Sequence, residues 1–347
     1  MTETTTALDS MGIRDAFASL PDQVADAVER ARGIPDLPGR DDIEHVVVLG
    51  MGGSGIAGDV IAAAAGPFLG LPILVCKTYQ PPAFVGDNSL VFAISFSGDT
   101  EETVEAATEA AVQGARMVVV TGGGELARRG ESWGAPVVPV PSDIPQPRAG
   151  LGAMAIPPLV ILEDIGLFPG ASQWIAHAVR RLRTRRDRLL GERSEARTIA
   201  KRIGRTIPLI YGGSWIGSVA AQRWKTQCNE NAKVPAFWNA NPEVCHNEIA
   251  GWGQHGDLTR QAITLVLLRD DFEHPQVVRR MELVKTIMGE VVAGAVDVRA
   301  AGEGQLAQLL DLILVGDLMS VELAMQEGVD PGPVPILGEI KRELRPG

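Results

Sequence analysis

The stretch His45-Val46-Val47-Val48-Leu49-Gly50-Met51-Gly52-Gly53-Ser54-Gly55 sets the architecture. Its valine-rich start reads as a short strand buried on both faces. A glycine-rich turn, Gly50 to Gly58, follows and passes into an alanine-rich helix through Ala65. Strand, glycine turn and helix together make the opening of a βαβ unit, and the unit recurs along the chain.

Pro72–Cys76, Leu90–Ile94, Arg116–Val120 and Pro136–Val140 read as further strands, with a helix from Thr100 to Gln113 between two of them. A helical stretch from about Ala153 to Ala200 follows. Then the pattern restarts: Pro208–Tyr211, Gly212-Gly213-Ser214, a helix from Ile216, and strands at Ala262–Leu268 and Glu290–Val298. The expected fold is α/β, with two doubly wound parallel-sheet subdomains. Residues 1–39 form an N-terminal helical arm, 40–150 the first subdomain, 151–200 a helical connector, 201–300 the second subdomain and 301–347 a C-terminal helical segment.

Of the 347 residues 45% are hydrophobic and 22% charged, which is ample core material for about two domains. The net charge of −11 argues against nucleic acid or an anionic membrane as a partner, because both need a basic surface. Arg180 to Arg188 holds six arginines in nine residues and is expected to be a solvated helix face. Cys76, Cys228 and Cys245 contain no CxxC pair, as in a reduced, cytoplasmic protein. The polar start, Met1 to Ser10, lacks the apolar run of a signal peptide. Ala153 to Phe168 is interrupted by Pro157, Pro158, Glu163 and Asp164, so no membrane span is expected.

Gly50-Met51-Gly52-Gly53-Ser54-Gly55 matches G-x-G-x-x-G, so a dinucleotide fold must be weighed. The second strand ends in Cys76-Lys77-Thr78, without the acidic residue that would bind a ribose; only the 2′-phosphate of NADP would suit Lys77. The third strand turns on Ser95-Phe96-Ser97-Gly98-Asp99-Thr100 instead. Three hydroxyls at a helix start, beside Ser54, suit a small phosphate monoester, since helix N-termini attract anions. A simple N-cap would need one hydroxyl.

These two loops resemble those of the sugar isomerase (SIS) domain. The resemblance implies that Gly53, Ser54, Ser95, Ser97 and Thr100 bind a phosphosugar's phosphate. The second half has Gly212-Gly213-Ser214 but its later strand ends in Arg269-Asp270-Asp271 with no serine pair, so one phosphate site per chain is expected.

Moving a carbonyl between neighbouring sugar carbons needs a base to carry the proton, a cation to hold the enediolate and groups that open the ring. Gln227-Cys228-Asn229-Glu230-Asn231-Ala232-Lys233 and Glu243-Val244-Cys245-His246-Asn247-Glu248, with their spacing, resemble the bifunctional phosphoglucose/phosphomannose isomerase branch of the SIS family. That resemblance implies Glu230 as base, Arg148 as the enediolate cation, His246 and Lys341 as the ring-opening pair, and no cofactor. It also implies hexose 6-phosphate substrates and a homodimer in which His246 reaches the neighbour's site. Family members that accept both epimers resemble one another in a proline before the arginine and a threonine before the lysine. Pro145 keeps the first feature, while Asp330-Pro331-Gly332-Pro333-Val334-Pro335 lacks the second. Cys228, Cys245, His246 and His255 offer metal donors, yet their spacing fits no standard zinc pattern, and no metal is expected. The rival function is a phosphosugar-binding regulatory module, which would use the same loops without a base.

Overall fold

The computed structural model describes residues 8–344. Among the described residues the arm carries the helices α1 (Ile13–Ala18) and α2 (Leu20–Ala31), which bury Ile13, Phe17, Leu20, Val24 and Ala27. The first sheet contains β1 (His45–Leu49), β2 (Ile73–Cys76), β3 (Ser89–Ser95), β4 (Arg116–Thr121) and β5 (Val137–Pro139). Helices α3 (Gly52–Ala65), α4 (Glu101–Val112) and α5 (Gly124–Ser132) connect them. The connector is α6 (Leu151–Asp164), α7 (Ala171–Leu190) and α8 (Glu195–Ile203). The second sheet contains β6 (Ile207–Gly212), β7 (Phe237–Ala240), β8 (Ile263–Arg269) and β9 (Gly294–Arg299). With it come α9 (Trp215–Gln227), α10 (Gly256–Ala262) and α11 (Pro275–Gly289). The chain closes with α12 (Gln305–Glu327) and α13 (Pro335–Glu343).

Both sheets are parallel, ordered β2-β1-β3-β4-β5 and β7-β6-β8-β9. In each the first strand is flanked by the second and third, so the chain reverses direction of winding there. Ligands in such sheets sit beyond the strand ends at that reversal. Because β1 pairs with β3 from His45↔Ser89 to Leu49↔Ala93, the loops after these two strands lie side by side.

The expected strands stand within a few residues, with some differences. Gly50 to Gly58 is turn only at its start, since α3 already begins at Gly52. The strand expected from Glu290 begins at Gly294. The edge strand β7 and the helices α5, α10 and α11 have no counterpart in the sequence reading. Pro157 and Pro158 lie inside α6, which tolerates the two missing N–H donors while burying both rings.

One continuous apolar core joins the two sheets through α6, α9 and α12. Smaller clusters cover the outer face of each sheet. Gly316 of α12 lies against the Trp224 indole, where any side chain would collide, and Trp224 Nε1 donates to the Leu312 carbonyl at 2.8 Å. The arginine stretch is only partly the solvated face expected. Arg181 and Arg185 both reach the buried Asp311, and Arg186 pairs with Asp22, binding α7 to α12 and to the arm. No helix among the described residues is long and apolar enough to cross a membrane.

Candidate active site

The loops after β1 and β3 meet as one cradle. The Ser54 hydroxyl accepts from the Phe96 N–H at 3.2 Å, tying the glycine turn to the serine loop. Ser95, fully buried, hydrogen-bonds the Thr100 hydroxyl at 3.1 Å and accepts from the Gly98 N–H at 3.1 Å. Gly98 has φ of 75° and lies under the Gly123 carbonyl, so only glycine lets the loop turn here. Ser97 is exposed and accepts from the Asp99 N–H at 3.2 Å, which leaves its hydroxyl proton free for a ligand. The five expected phosphate residues thus fall in one place at the start of α3 and α4.

Gly53 links this cradle to Arg148. A side chain there would begin 3.2 Å from the Arg148 backbone, so its absence lets α3 press against the Pro147–Ala149 turn. Arg148 is 3% exposed. Its Nε donates to Asn231 Oδ1 at 2.7 Å, and its Nη2 to the carbonyls of Pro331 and Gly332 at 2.7 and 2.6 Å. Nη1 has only long contacts, 3.4 Å to Gln146 Oε1 and 3.5 Å to Glu230 Oε2. The guanidinium is therefore oriented by two of its nitrogens, and the third faces Glu230 with donor capacity to spare. Burial lowers the Arg148 pKa, and the Glu230 charge opposes that shift. Glu230 is partly open, its side chain 29% exposed.

Glu230 lies where α9 widens into a single five-residue turn, Cys228–Ala232. Such turns recur at functional sites because they re-aim side chains. Asn231 fixes the turn from inside: while its Oδ1 accepts from Arg148, its amide N–H groups donate to Gln227 Oε1 at 3.0 Å and Ser320 Oγ at 2.8 Å. The Arg148 carbonyl accepts from the buried Arg223, which Asp317 of α12 holds through both oxygens. Asn231, Arg223 and Asp317 were not singled out in the sequence. Asn231 lies within the Gln227–Lys233 motif, whereas nothing local marks a pair 94 residues apart.

His246 and Lys341 are exposed, and among the described residues neither hydrogen-bonds nor pairs with Arg148 or Glu230. His246 ends the short Glu243–His246 turn. Its neighbour Glu248 accepts hydrogen bonds from the Tyr211 phenol and, at 2.6 Å, from Asn239, and the Tyr211 pKa is pushed up, first by burial and then by that carboxylate. Lys341 lies on α13, none of whose residues is buried. Among the described residues no three His, Cys, Asp or Glu side chains are grouped to hold a metal ion.

The corresponding cradle in the second half is filled by the chain itself. Ser214 caps α9 by accepting from the Gly217 N–H at 3.1 Å, and its hydroxyl donates to Asp270. Asp270 Oδ1 also accepts from the Phe272 N–H at 2.9 Å, and burial raises its pKa. An internal carboxylate after β8 thus stands where the first half carries its serine loop after β3.

A model of the SIS domain matches residues 41–131, and a model of the bacterial phospho-glucose isomerase C-terminal SIS domain matches residues 192–344. The bifunctional phosphoglucose/phosphomannose isomerase of Caldicellulosiruptor bescii is 35% identical over 95% of this chain and 98% of that protein. The protein of the same name from Aquifex aeolicus is 34% identical over 86% of this chain and 90% of its own. Among solved structures, a glucose-6-phosphate isomerase like protein from Thermus thermophilus shares the fold at 20% identity with a TM-score of 0.61, over 96% of this chain and 98% of that one. With relatives this similar along nearly its whole length, the chain belongs to the bifunctional phosphoglucose/phosphomannose isomerase family.

Proposed function

We propose that this protein interconverts glucose 6-phosphate, and more slowly mannose 6-phosphate, with fructose 6-phosphate. The observation that carries the reading is the Glu230 carboxylate 3.5 Å from an oriented Arg148 guanidinium, whose backbone touches the phosphate cradle at Gly53. The cradle of Gly53, Ser54, Ser95, Ser97 and Thr100 holds the phosphate and so fixes the distance to the reacting carbons. Glu230 takes the proton from C2 of the open-chain aldose and returns it to C1. Meanwhile the hydroxyl proton at O2 passes to O1, so the product is the ketose and the enzyme is unchanged. Between the two transfers an enediolate carries negative charge, which Arg148 Nη1 binds more strongly than it binds either neutral sugar. This sequence needs no metal ion.

His246 and Lys341 open the sugar ring in this scheme. Their exposure supports a homodimer in which His246 completes the partner's site. The test is a coupled assay of the purified chain with each hexose 6-phosphate, with and without EDTA, alongside its mass in solution. Turnover unaffected by EDTA, in a particle of twice the chain mass, is expected. Phosphosugar binding without turnover would instead make the chain a sensor, and loss of activity restored by zinc would refute the metal-free scheme.

A further inference from the structure

Lys233 closes the turn that carries Glu230, with φ of 58°. That left-handed conformation suits glycine and is unfavourable for a lysine, and strain of this kind collects at functional sites. Its ammonium is directed at four backbone carbonyls: Glu230 at 2.7 Å, Asn231 at 3.3 Å, Asp330 at 3.0 Å and Pro331 at 3.4 Å. Two belong to the Glu230 turn. The other two belong to the loop whose Pro331 and Gly332 carbonyls orient Arg148. Among the described residues no carboxylate oxygen bonds this ammonium, so its work is to gather carbonyls from segments 97 residues apart. Burial, followed by the Arg148 charge, lowers the Lys233 pKa.

We propose that Lys233 is a positioning residue that latches the Glu230 turn to the Asp330–Gly332 loop and so sets the Glu230–Arg148 separation during proton transfer. The kinetic part rests on the isomerase reading; the latch itself does not. Lys233 has no hydrogen bond to the phosphate cradle, so its loss should act on the chemical step and spare substrate binding.

The test compares Lys233→Gly and Lys233→Arg with the unaltered chain, by kcat and KM for fructose 6-phosphate and by amide exchange at Gly332. The Gly332 N–H donates to Asp330 Oδ1 at 2.9 Å and reports whether its loop is closed. Lys233→Gly keeps the left-handed turn without strain. It should stay folded, exchange at Gly332 at least about tenfold faster, and lose about tenfold or more in kcat with KM within about threefold. Lys233→Arg, which restores donors, should recover part of kcat. Unchanged kcat or unchanged exchange in Lys233→Gly would overturn the proposal, as would a raised KM with kcat preserved. Unfolding of Lys233→Gly would overturn it too, by making the lysine an ordinary element of the fold. If the unaltered chain turns over no hexose phosphate, the isomerase reading fails and exchange at Gly332 alone decides the latch.

Discussion

Arg223 donates from Nη2 to the backbone carbonyl of Arg148 at 2.7 Å, so one buried arginine fixes the chain position of another. The same guanidinium grips Asp317 at 2.8 and 2.9 Å, and both partners of that pair are almost wholly enclosed. Burial raises the Asp317 pKa and Arg223 opposes the rise. Asp317→Asn strands a buried cation, which typically costs about 3–5 kcal/mol. Urea unfolding should show a loss of that size, and a loss below about 1 kcal/mol would mean that the seam relaxes around the change.

Glu230→Gln keeps the size of the side chain and removes the base. Turnover should fall by ~10²–10⁴. Binding of a non-isomerisable hexitol 6-phosphate, measured by calorimetry, should survive, because the cradle is untouched. Near-normal turnover would assign the base elsewhere.

Ser97 presents the exposed hydroxyl of the cradle. Ser97→Ala removes one donor to a charged acceptor, an interaction of ~1.5–3 kcal/mol, and should raise KM. Ser97→Asp sets a like charge against the phosphate and should nearly abolish binding. An aspartate variant with unaltered KM would place the phosphate elsewhere.

The two aldose epimers differ only at C2, so one base serves both if the enediolate can turn. A side chain at Gly332 would meet Met11 Cγ at 2.7 Å, which leaves no room there for a threonine, and Val334 offers no hydroxyl. Mannose 6-phosphate should therefore be turned over with a lower kcat/KM than glucose 6-phosphate. Equal values in one coupled assay would show that a threonine contributes nothing, and no mannose turnover that it is required.

Cys228 is the fully buried first residue of the Glu230 turn, and burial pushes its thiol up to about 12. At pH 8 the thiolate is then on the order of one part in ten thousand, and the thiolate is the reactive form. Iodoacetamide should leave Cys228 unmodified until the chain unfolds. Because the folded pKa lies above the unfolded one, the folded state gains below the unfolded thiol's pKa. That gain is lost as pH rises towards about 12, where the unfolded thiol has already ionised. Rapid native-state labelling would show that the core opens locally.

The parts of this molecule legible in its sequence are those made by neighbours along the chain. β1 and β3 announced themselves as apolar runs, and Ser95, Ser97 and Thr100 lie within one loop, so the cradle could be read directly. β7 could not, because Phe237-Trp238-Asn239-Ala240 is a four-residue edge strand without a buried run. α5 opens on glycines and carries a charged face, which hid its helical period. Arg148 and Asn231 touch across 83 residues, and nothing in the sequence points to that meeting, since the resemblance implies a role for Arg148 and for Glu230 but none for Asn231. The Arg181–Asp311 pair shows the same limit, since charge density alone resembled a wet surface.

The shared core sets how this protein fails. α12 presents apolar side chains to both sheets, so cutting the chain between them would expose a greasy face on either fragment. The halves are expected to melt as one cooperative unit, and the site built along their boundary disappears with the first global opening. Loss of catalysis on heating would then serve as a direct gauge of unfolding, with no inactive yet intact intermediate between.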